Sequence, residues 1–249
     1  MPSLIRRGLF AGAALLVVAL VATQHLGSAE AYEHPADDGQ PQTMEQFLTG
    51  VTKDVDAYWT SVFEANGLSE PRVSYAWIPA GQAAASACGG ETMGDSAAAY
   101  CSADDTIYIS EKFATDIYEG ALDQMLPGSS QGYGHTVGDF AVAYIVAHEY
   151  GHQIQDELGL FEQYGNQLPA SAFELQADCY AGTWANSANQ DNRLEDGDVQ
   201  EALDAALAVG DFDATNPTHH GTPEQRAEAW NAGFESGDPA TCGSFLTAS

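Results

Sequence analysis

Apolar residues recur every three to four positions along several stretches of this chain, a spacing that predicts amphipathic helices. The first stretch follows a capping box made by Thr43 and Gln46, and Asn66-Gly67 closes it. Its apolar positions are Phe47, Val51, Val55, Trp59 and Val62. The pattern therefore predicts a helix that begins at the capping box and ends at Asn66.

The same spacing predicts five further helices. One covers residues 111–126 and ends there because Pro127-Gly128 cannot continue it. The next begins at a cap formed by Thr136 with Asp139, and it is apolar nearly all the way round, so we expect it to be buried. The remaining helices are predicted at 170–188, at 198–209, and after Thr222, with Pro223 and Gln225 in the first turn.

Alternating apolar and polar residues predict two short strands, at 73–78 and 106–110. The stretch 81–99 between them is rich in Ala, Gly and Ser, which predicts a loop. No internal repeat is visible in the sequence. The predicted fold class is therefore α+β, mainly helical with a small β-sheet, in a single domain over residues 43–249.

The N-terminal residues have the pattern of an export signal. Arg6 and Arg7 precede a run of 15 apolar, uncharged residues, 8–22, which is short for a membrane span and typical of a signal peptide. Small residues at Ala29 and Ala31 predict cleavage after residue 31. Residues 1–31 are thus a predicted signal peptide, or an N-terminal membrane anchor if they are not cleaved.

Residues 32–42 contain Pro, Asp and Gly with almost no apolar side chain, which predicts a flexible linker. The export signal predicts a secreted or extracytoplasmic protein. Contact with a membrane is expected only through the N-terminal segment, if that segment is uncleaved.

The charge of the chain is strongly acidic, since 36 Asp and Glu residues outnumber 7 Lys and Arg residues and the formal net charge is −29. Binding nucleic acid requires a patch of Lys and Arg that neutralises phosphates. This composition cannot supply such a patch, so nucleic acid is excluded as a partner. The acidic charge is typical of a highly soluble surface.

Four cysteines lie in the predicted mature chain, at Cys88, Cys101, Cys179 and Cys242. An even number in an exported protein predicts two disulfides, and three pairings are possible. We favour Cys88 with Cys101, which closes a short glycine-rich loop, and Cys179 with Cys242. A structural zinc site is the competing use, but the chain has no Cys-x-x-Cys pair.

The buried helix predicted after Asp139 contains His148-Glu149-Tyr150-Gly151-His152. Residues four apart on a helix lie on the same face, so the two imidazoles can bind one ion. Neutral imidazole suits Zn²⁺, and Glu149 can reach the water that the metal polarises. The competing interpretation is a solvated helix face, which the apolar surroundings disfavour because buried polar groups need partners.

A catalytic zinc ion takes three protein ligands and leaves its fourth position for water. Glu174, on the following predicted helix, is the best candidate for the third ligand. Asp178 lies one helical turn later, where it would accept a hydrogen bond from a ligand histidine and set its tautomer. A pair of surface carboxylates is the competing interpretation, and the apolar neighbours count against it.

The spacing of His148, Glu149 and His152, followed by Glu174 and Asp178, is similar to that of thermolysin-type zincins. Three longer stretches resemble the neutral zinc metallopeptidases of bacteria, namely 147–152, 174–182 and 220–226. The resemblance extends from about residue 88 to 245 and departs at Pro223, where a small residue is commoner. It implies a zincin-like metallopeptidase domain with a central HExxH helix and one zinc ion per chain.

His220 lies just before the last predicted helix and is a candidate catalytic residue. A histidine presented from a loop near a helix N-terminus could help a metal to stabilise an oxyanion. The competing interpretation is structural, with a local hydrogen bond to His220 while Arg226 holds the turn. The sequence leaves both interpretations open.

These patterns together predict a secreted or envelope-associated, zinc-dependent metalloendopeptidase that acts on peptides or proteins. Zinc would be held by His148, His152 and Glu174, with Glu149 as the general base. We expect the strand at 106–110 to be an edge strand along which an extended peptide pairs. Two alternatives remain: a non-catalytic zinc-binding envelope protein of the same fold, and a metallohydrolase of non-peptide amides.

Overall fold

The computed structural model describes residues 43–88, 92–120, 138–213 and 215–247. The predicted signal peptide or membrane anchor (1–31) and the predicted linker (32–42) lie outside the described residues. Within the described ranges, no helix is both long enough and apolar enough to cross a membrane.

Helix α1 spans Met44–Ala65, and the predicted capping box of Thr43 with Gln46 is present at its start. Asn66 caps its C-terminus, as predicted. The side chains that it buries recur at helical spacing and face the rest of the domain. They are Leu48, Val51, Thr52, Val55, Trp59 and Phe63.

Seven further helices lie within the described ranges. They are α2 (Glu111–Tyr118), α3 (Asp139–Glu157), α4 (Leu160–Tyr164), α5 (Ala170–Gln190), α6 (Asp198–Ala208), α7 (Pro223–Ser236) and a 3-10 helix (Pro239–Leu246). The predictions of α5, α6 and the start of α7 are confirmed. We did not predict α4 or the 3-10 helix, because neither shows an apolar repeat with the α-helical period.

The predicted end of α2 is wrong. The helix stops at Tyr118 instead of continuing to residue 126, and Gly120 follows with a left-handed φ of 85°. That conformation is open to glycine and turns the chain away from the helix axis. Residues 121–126 lie outside the described residues.

The predicted N-terminus of α3 is also wrong. Its N-cap is Gly138 rather than Thr136, which lies outside the described residues, and no neighbouring side chain caps it. The carboxylate of Glu201, from α6, accepts a hydrogen bond from the backbone N–H of Phe140 at 3.1 Å. A distant glutamate therefore satisfies the first turn, which local sequence patterns do not reveal.

A three-stranded sheet has β5 (Thr106–Ser110) at its centre. Strand β1 (Ser74–Ile78) pairs with β5 in parallel, and β4 (Ala98–Cys101) pairs with its other side in antiparallel orientation. The expectation that residues 106–110 form an edge strand is therefore wrong. The edge strand beside the helices is β4.

The prediction of a loop at 81–99 is only partly right. Two short strands, β2 (Ala84–Ala85) and β3 (Thr92–Met93), pair with each other, and β4 begins at Ala98. Ala has low β-propensity, so β2 and the start of β4 form because of pairing with a neighbouring strand rather than because of local preference.

Helix α3 runs through the middle of the domain and packs against α1, α5, α6 and β4. All residues from Phe140 to Gly151 are buried, as the apolar pattern predicts. Helix α5 lies beside α3 and is covered by α7. The predicted fold class, α+β and mainly helical with a small sheet and a central HExxH helix, is confirmed.

Both favoured disulfides are present. Cys88 is bonded to Cys101 at the end of β4, and Cys179 in the middle of α5 is bonded to Cys242 in the 3-10 helix. The first disulfide fixes the strand next to α3. The second fixes the segment after α7 against α5.

Candidate metal centre

Helices α3 and α5 bring His148, His152 and Glu174 together, as the sequence predicts. The two imidazole rings lie on the same face of α3, with centroids 4.7 Å apart. The Nε2 atom of His148 is 3.3 Å from one carboxylate oxygen of Glu174, and the Nε2 atom of His152 is 3.5 Å from the other. Three potential ligand atoms thus converge on one point.

The tautomer of His148 is set by Asp178. Its Nδ1 atom is 2.9 Å from Oδ1 of Asp178, which is fully buried on α5. An ionised carboxylate only accepts hydrogen bonds, so Nδ1 carries a proton, and in the neutral ring that can bind a metal the lone pair is on Nε2, which faces Glu174. This is the position expected for Asp178.

The tautomer of His152 is set by Gln155, a residue that we did not predict. The side-chain NH₂ of Gln155 donates to the backbone carbonyl of Phe173 at 2.7 Å, which fixes the orientation of the amide. The amide oxygen therefore faces Nδ1 of His152, at 2.9 Å, and accepts its proton. A glutamine three residues after a helical histidine is the local signal that could have suggested this contact.

These distances fit a zinc ion. Ligand atoms at about 2.0–2.1 Å from a tetrahedral zinc lie roughly 3.3–3.4 Å from one another. The Nε2-to-oxygen distances of 3.3 and 3.5 Å are close to that spacing, although they run to different oxygens of Glu174, and one ligand atom from each of the three residues lies within 4.8 Å of the others. Two imidazole nitrogens and one carboxylate are also the donor set of a catalytic zinc site.

The surroundings of the three groups favour a bound cation. Burial and the nearby Arg226 lower the pKa of His148, but the carboxylates of Asp178 and Glu174 outweigh both and raise it to about 9. Burial also disfavours the charged form of Glu174, yet the two histidines hold its pKa well below the usual range. The site therefore attracts positive charge when no metal is bound.

Arg226 enters the centre from α7 and is buried, with 2% of its surface exposed. Its Nε and Nη2 atoms donate to the two oxygens of Asp178 at 2.7 and 2.8 Å. Tyr144 donates to the same carboxylate at 2.6 Å. The structural interpretation of His220 had Arg226 holding a turn, and neither of these contacts was predicted, because both join residues far apart in the sequence.

Glu149 lies on α3 beside the three ligand candidates. Its Oε2 atom accepts a hydrogen bond from the backbone N–H of Tyr100, in β4, at 2.8 Å. Because Tyr100 uses only one carboxylate oxygen, the other is not engaged by this contact. Glu149 is thus held next to the metal candidates without being one of them.

A cavity of about 300 Å³ joins these groups. It is polar around the histidines and apolar where α2, α3 and the end of α6 meet. Its lining residues are Ala98, Ala99, Tyr100, Phe113, Ile145, His148, Glu149, His152, Glu174, Val209, His220 and Arg226. The cavity therefore contains every predicted metal and catalytic residue.

His220 lies at the rim of this cavity with about half of its side chain exposed. Asp211 accepts from its backbone N–H at 2.9 Å and lies 3.3 Å from its Nδ1 atom. The other oxygen of Asp211 contacts Nδ1 of His219 at 2.5 Å. The loop is thus anchored on one carboxylate, and His220 reaches the cavity from it.

Gly151 lies where α3 and α5 come close together. A Cβ atom added there would lie 3.0 Å from the Cα atom and the carbonyl oxygen of Ala177. The absence of a side chain therefore lets α3 and α5 approach each other.

A second acidic group in the described part of the chain consists of Asp139, Asp198 and Glu201. It lies at the N-terminus of α3, where Glu201 already accepts the N–H of Phe140. Its donors are carboxylates alone, at the positive end of a helix dipole. This group contains no imidazole, unlike the group of His148, His152 and Glu174.

The central helix α3 carries two converging imidazoles and a neighbouring glutamate, and α5 adds a carboxylate. This arrangement defines a zincin-like metallopeptidase domain. The chain belongs to the family described as "Putative neutral zinc metallopeptidase", whose sequence profile matches residues 4–245. The resemblance found in the motifs is thereby confirmed.

Two proteins from bacteria are similar to part of this chain. The Escherichia coli K12 protein YpfJ is 39% identical over 166 residues, covering 59% of this chain and 53% of YpfJ. The Mycobacterium bovis protein Mb2605 is 38% identical over 173 residues, covering 60% of this chain and 55% of Mb2605. Both are named as uncharacterized proteins, and the chain spans about half of their length. No solved structure matches the chain.

Proposed function

We propose that the protein is an extracytoplasmic, zinc-dependent metalloendopeptidase. The observation that carries the proposal is the pair of fixed tautomers, which directs Nε2 of His148 and Nε2 of His152 at Glu174. A bound Zn²⁺ would polarise water and the peptide carbonyl. Its ligands would be the two histidines and Glu174, with Asp178 behind His148.

Glu149 is the proposed general base. The N–H of Tyr100 holds one of its oxygens, and the second is left to take a proton from the attacking water. The same carboxylic acid can then return the proton to the leaving amine. A site that only stabilises the fold has no use for such a group, which favours catalysis over structural zinc binding.

The outer edge of β4 is the proposed binding site for an extended peptide. The N–H of Tyr100 points away from β5, since it donates to Glu149. Backbone groups alternate in direction along a strand, so the N–H and C=O of Ala98 also point outward. Ala98 lines the cavity, where a substrate backbone can pair with it by β-strand addition.

The side chains around the cavity favour an internal, apolar segment of the substrate. Phe113, Ile145 and Val209 form its apolar part. The guanidinium of Arg226 is engaged by Asp178, so it does not offer a charge for a chain terminus. These features support an endopeptidase that accepts an uncharged residue next to the cleaved bond.

His220 is the proposed donor to the oxyanion. Its Nδ1 atom faces Asp211 at 3.3 Å, which leaves Nε2 for the cavity. A histidine oriented in this way can donate a hydrogen bond where negative charge develops. The two disulfides support an extracytoplasmic location, because such bonds persist in oxidising compartments.

The test compares wild-type protein with Glu149→Gln and Glu174→Ala on a peptide library, with and without a chelator. We expect Glu149→Gln to retain zinc and lose hydrolysis by at least a factor of roughly 100. Glu174→Ala should lose zinc. Full activity of Glu149→Gln would exclude the mechanism, and no chelator-sensitive cleavage of any peptide would exclude the activity.

A further inference from the structure

Arg226 contacts three residues of the proposed metal centre, namely Asp178, His148 and Glu174. Beyond the two hydrogen bonds to Asp178, its Nη2 atom is 3.2 and 3.3 Å from the two ring nitrogens of His148. A nitrogen equally close to both ring nitrogens lies over the ring face rather than in line with one lone pair. Its Nη1 atom is 3.6 Å from Oε2 of Glu174.

The carboxylate of Asp178 depends on this arginine. Its Oδ1 atom accepts from His148, Tyr144 and Arg226, and its Oδ2 atom accepts from Arg226. Two parallel hydrogen bonds from one guanidinium fix the plane of a carboxylate, and therefore the direction in which Oδ1 faces His148. Among the described residues, Arg226 is the side chain with a permanent positive charge that contacts Asp178.

We propose that Arg226 is a positioning residue for the metal ligands, acting on His148 through Asp178 and on Glu174 through their direct contact. The proposal rests on the metal site of the proposed function. By holding the plane of the Asp178 carboxylate with two parallel hydrogen bonds, Arg226 holds the acceptor that faces Nδ1 of His148. It also covers the ring and so limits its rotation.

A purely structural role for Arg226 would be to join α7 to α5 by an ion pair. The chain contains a matched pair for comparison, because Arg193 contacts Asp54 at 2.6 Å and is also largely buried. Neither Arg193 nor Asp54 lines the cavity of the metal centre. Removing the ion pair of Arg193 and Asp54 should therefore change the stability of the fold without changing the proposed metal centre.

The experiment measures the Zn²⁺ dissociation constant, by competition with a chelator, for wild type, Arg226→Met, Arg226→Lys and Arg193→Met. The melting temperature of each metal-free protein is measured in parallel. We expect Arg226→Met to weaken Zn²⁺ binding about 10- to 100-fold, the usual effect of removing an outer partner of a ligand. Arg193→Met should lower the melting temperature while its dissociation constant stays near the wild-type value.

A double-mutant cycle tests the route of action. If Arg226 acts mainly through Asp178, the pair Asp178→Asn with Arg226→Met should bind Zn²⁺ about as tightly as Asp178→Asn alone. The visible spectrum of the Co²⁺-substituted protein should change in Arg226→Lys, because lysine keeps the charge but cannot make the two parallel hydrogen bonds.

Two results would overturn the proposal. One is a Zn²⁺ dissociation constant of Arg226→Met equal to that of Arg193→Met. The other is that the losses of Zn²⁺ affinity caused by Asp178→Asn and Arg226→Met add up fully in the double variant. If Arg226→Met does not fold, Arg226→Lys decides: an unchanged dissociation constant together with an unchanged Co²⁺ spectrum contradicts the proposal. Failure of the wild-type protein to bind Zn²⁺ contradicts the proposed function instead.

Discussion

At the scale of single residues, the two histidines that we propose as metal ligands have the same tautomer but use different acceptors. His148 uses a buried carboxylate, and His152 uses the amide oxygen of Gln155. A carboxylate adds charge to the centre, whereas an amide only orients the ring. The two rings are therefore equivalent in direction but differ in their electrostatic surroundings.

Replacing Gln155 with Met should weaken Zn²⁺ binding by about tenfold, since the ring of His152 loses its acceptor. Gln153→Met is the matched control, because Gln153 is equally buried on the same helix and donates to the carbonyl of Arg72 instead. Chelator competition measures both. Equal dissociation constants for the two variants would show that Gln155 does not orient the ligand.

Asp211 provides a pH-dependent prediction. Hydrogen bonds from the backbone of His220 and the side chain of His219 hold its pKa below the usual range. A lowered folded pKa means that the anchoring is fully present above about pH 4, the ordinary value, and is lost as the pH falls further.

The side-chain carboxyl carbon of Asp211 reports this titration by NMR. Its chemical shift should change with a midpoint below about pH 4. Asp211→Asn should remove the change. A midpoint at or above the ordinary value for Asp would contradict the proposed anchoring of the loop.

The convergence of the proposed metal ligands could be predicted because each spacing is local. His148 and His152 are one helical turn apart, as are Glu174 and Asp178, so a periodic pattern reveals both pairs. The contacts of Arg226 could not be predicted, because 48 residues separate it from Asp178. The charge requirement of a buried aspartate predicts that a cation exists but not which one.

At the scale of elements, β4 is the part of the fold that the sequence hides. Its residues Ala98 and Ala99 have weak strand preference, and only pairing with β5 makes them a strand. The same pairing leaves one edge of β4 beside α3. The element hardest to predict is thus the one that we propose binds the substrate.

A proline at Ala98 tests this edge. Because the N–H of Ala98 points away from β5, Ala98→Pro should keep the sheet and the zinc content. It should lower kcat/KM on peptides about five- to tenfold, the effect of one lost hydrogen bond of roughly 1 kcal/mol. Steady-state kinetics and metal analysis measure the two effects.

Ala99→Pro is the contrasting variant. Ala99 faces Tyr108 in the β4–β5 register, and its N–H points toward β5. This change should therefore lower the melting temperature by removing a hydrogen bond of the sheet. If Ala98→Pro behaves like Ala99→Pro, or leaves kcat/KM unchanged, the substrate does not pair with the outer edge of β4.

At the scale of the whole molecule, the two disulfides close loops of different length. Cys179 and Cys242 are 63 residues apart, whereas Cys88 and Cys101 are 13 apart. Loop-closure entropy gives about 4 kcal/mol of stabilisation for the longer loop and about 3 kcal/mol for the shorter one.

Replacing each pair of cysteines with alanine should therefore cost more stability at Cys179–Cys242 than at Cys88–Cys101. Urea unfolding of the two double variants measures the difference in free energy of unfolding. A larger loss for the Cys88–Cys101 variant would show that strain or packing, rather than chain entropy, determines the contribution of these bonds.

The global features followed from the sequence to different degrees. Apolar periodicity predicted the class of fold and the burial of α3, because a helix that is apolar all round has no surface to offer to water. The order of strands in the sheet was not predictable, since alternation reveals a strand but not its neighbours.

Helix α3, which carries His148 and His152, depends on residues that are synthesised long after it. The acceptor at the first turn of α3 is Glu201, 61 residues beyond Phe140. Arg226 on α7, which contacts both Asp178 and His148, lies 78 residues beyond His148. On a ribosome, the histidines leave the exit tunnel well before these partners exist. We therefore expect a nascent chain to acquire its metal late, after α7 has been translated and has folded onto the rest of the domain.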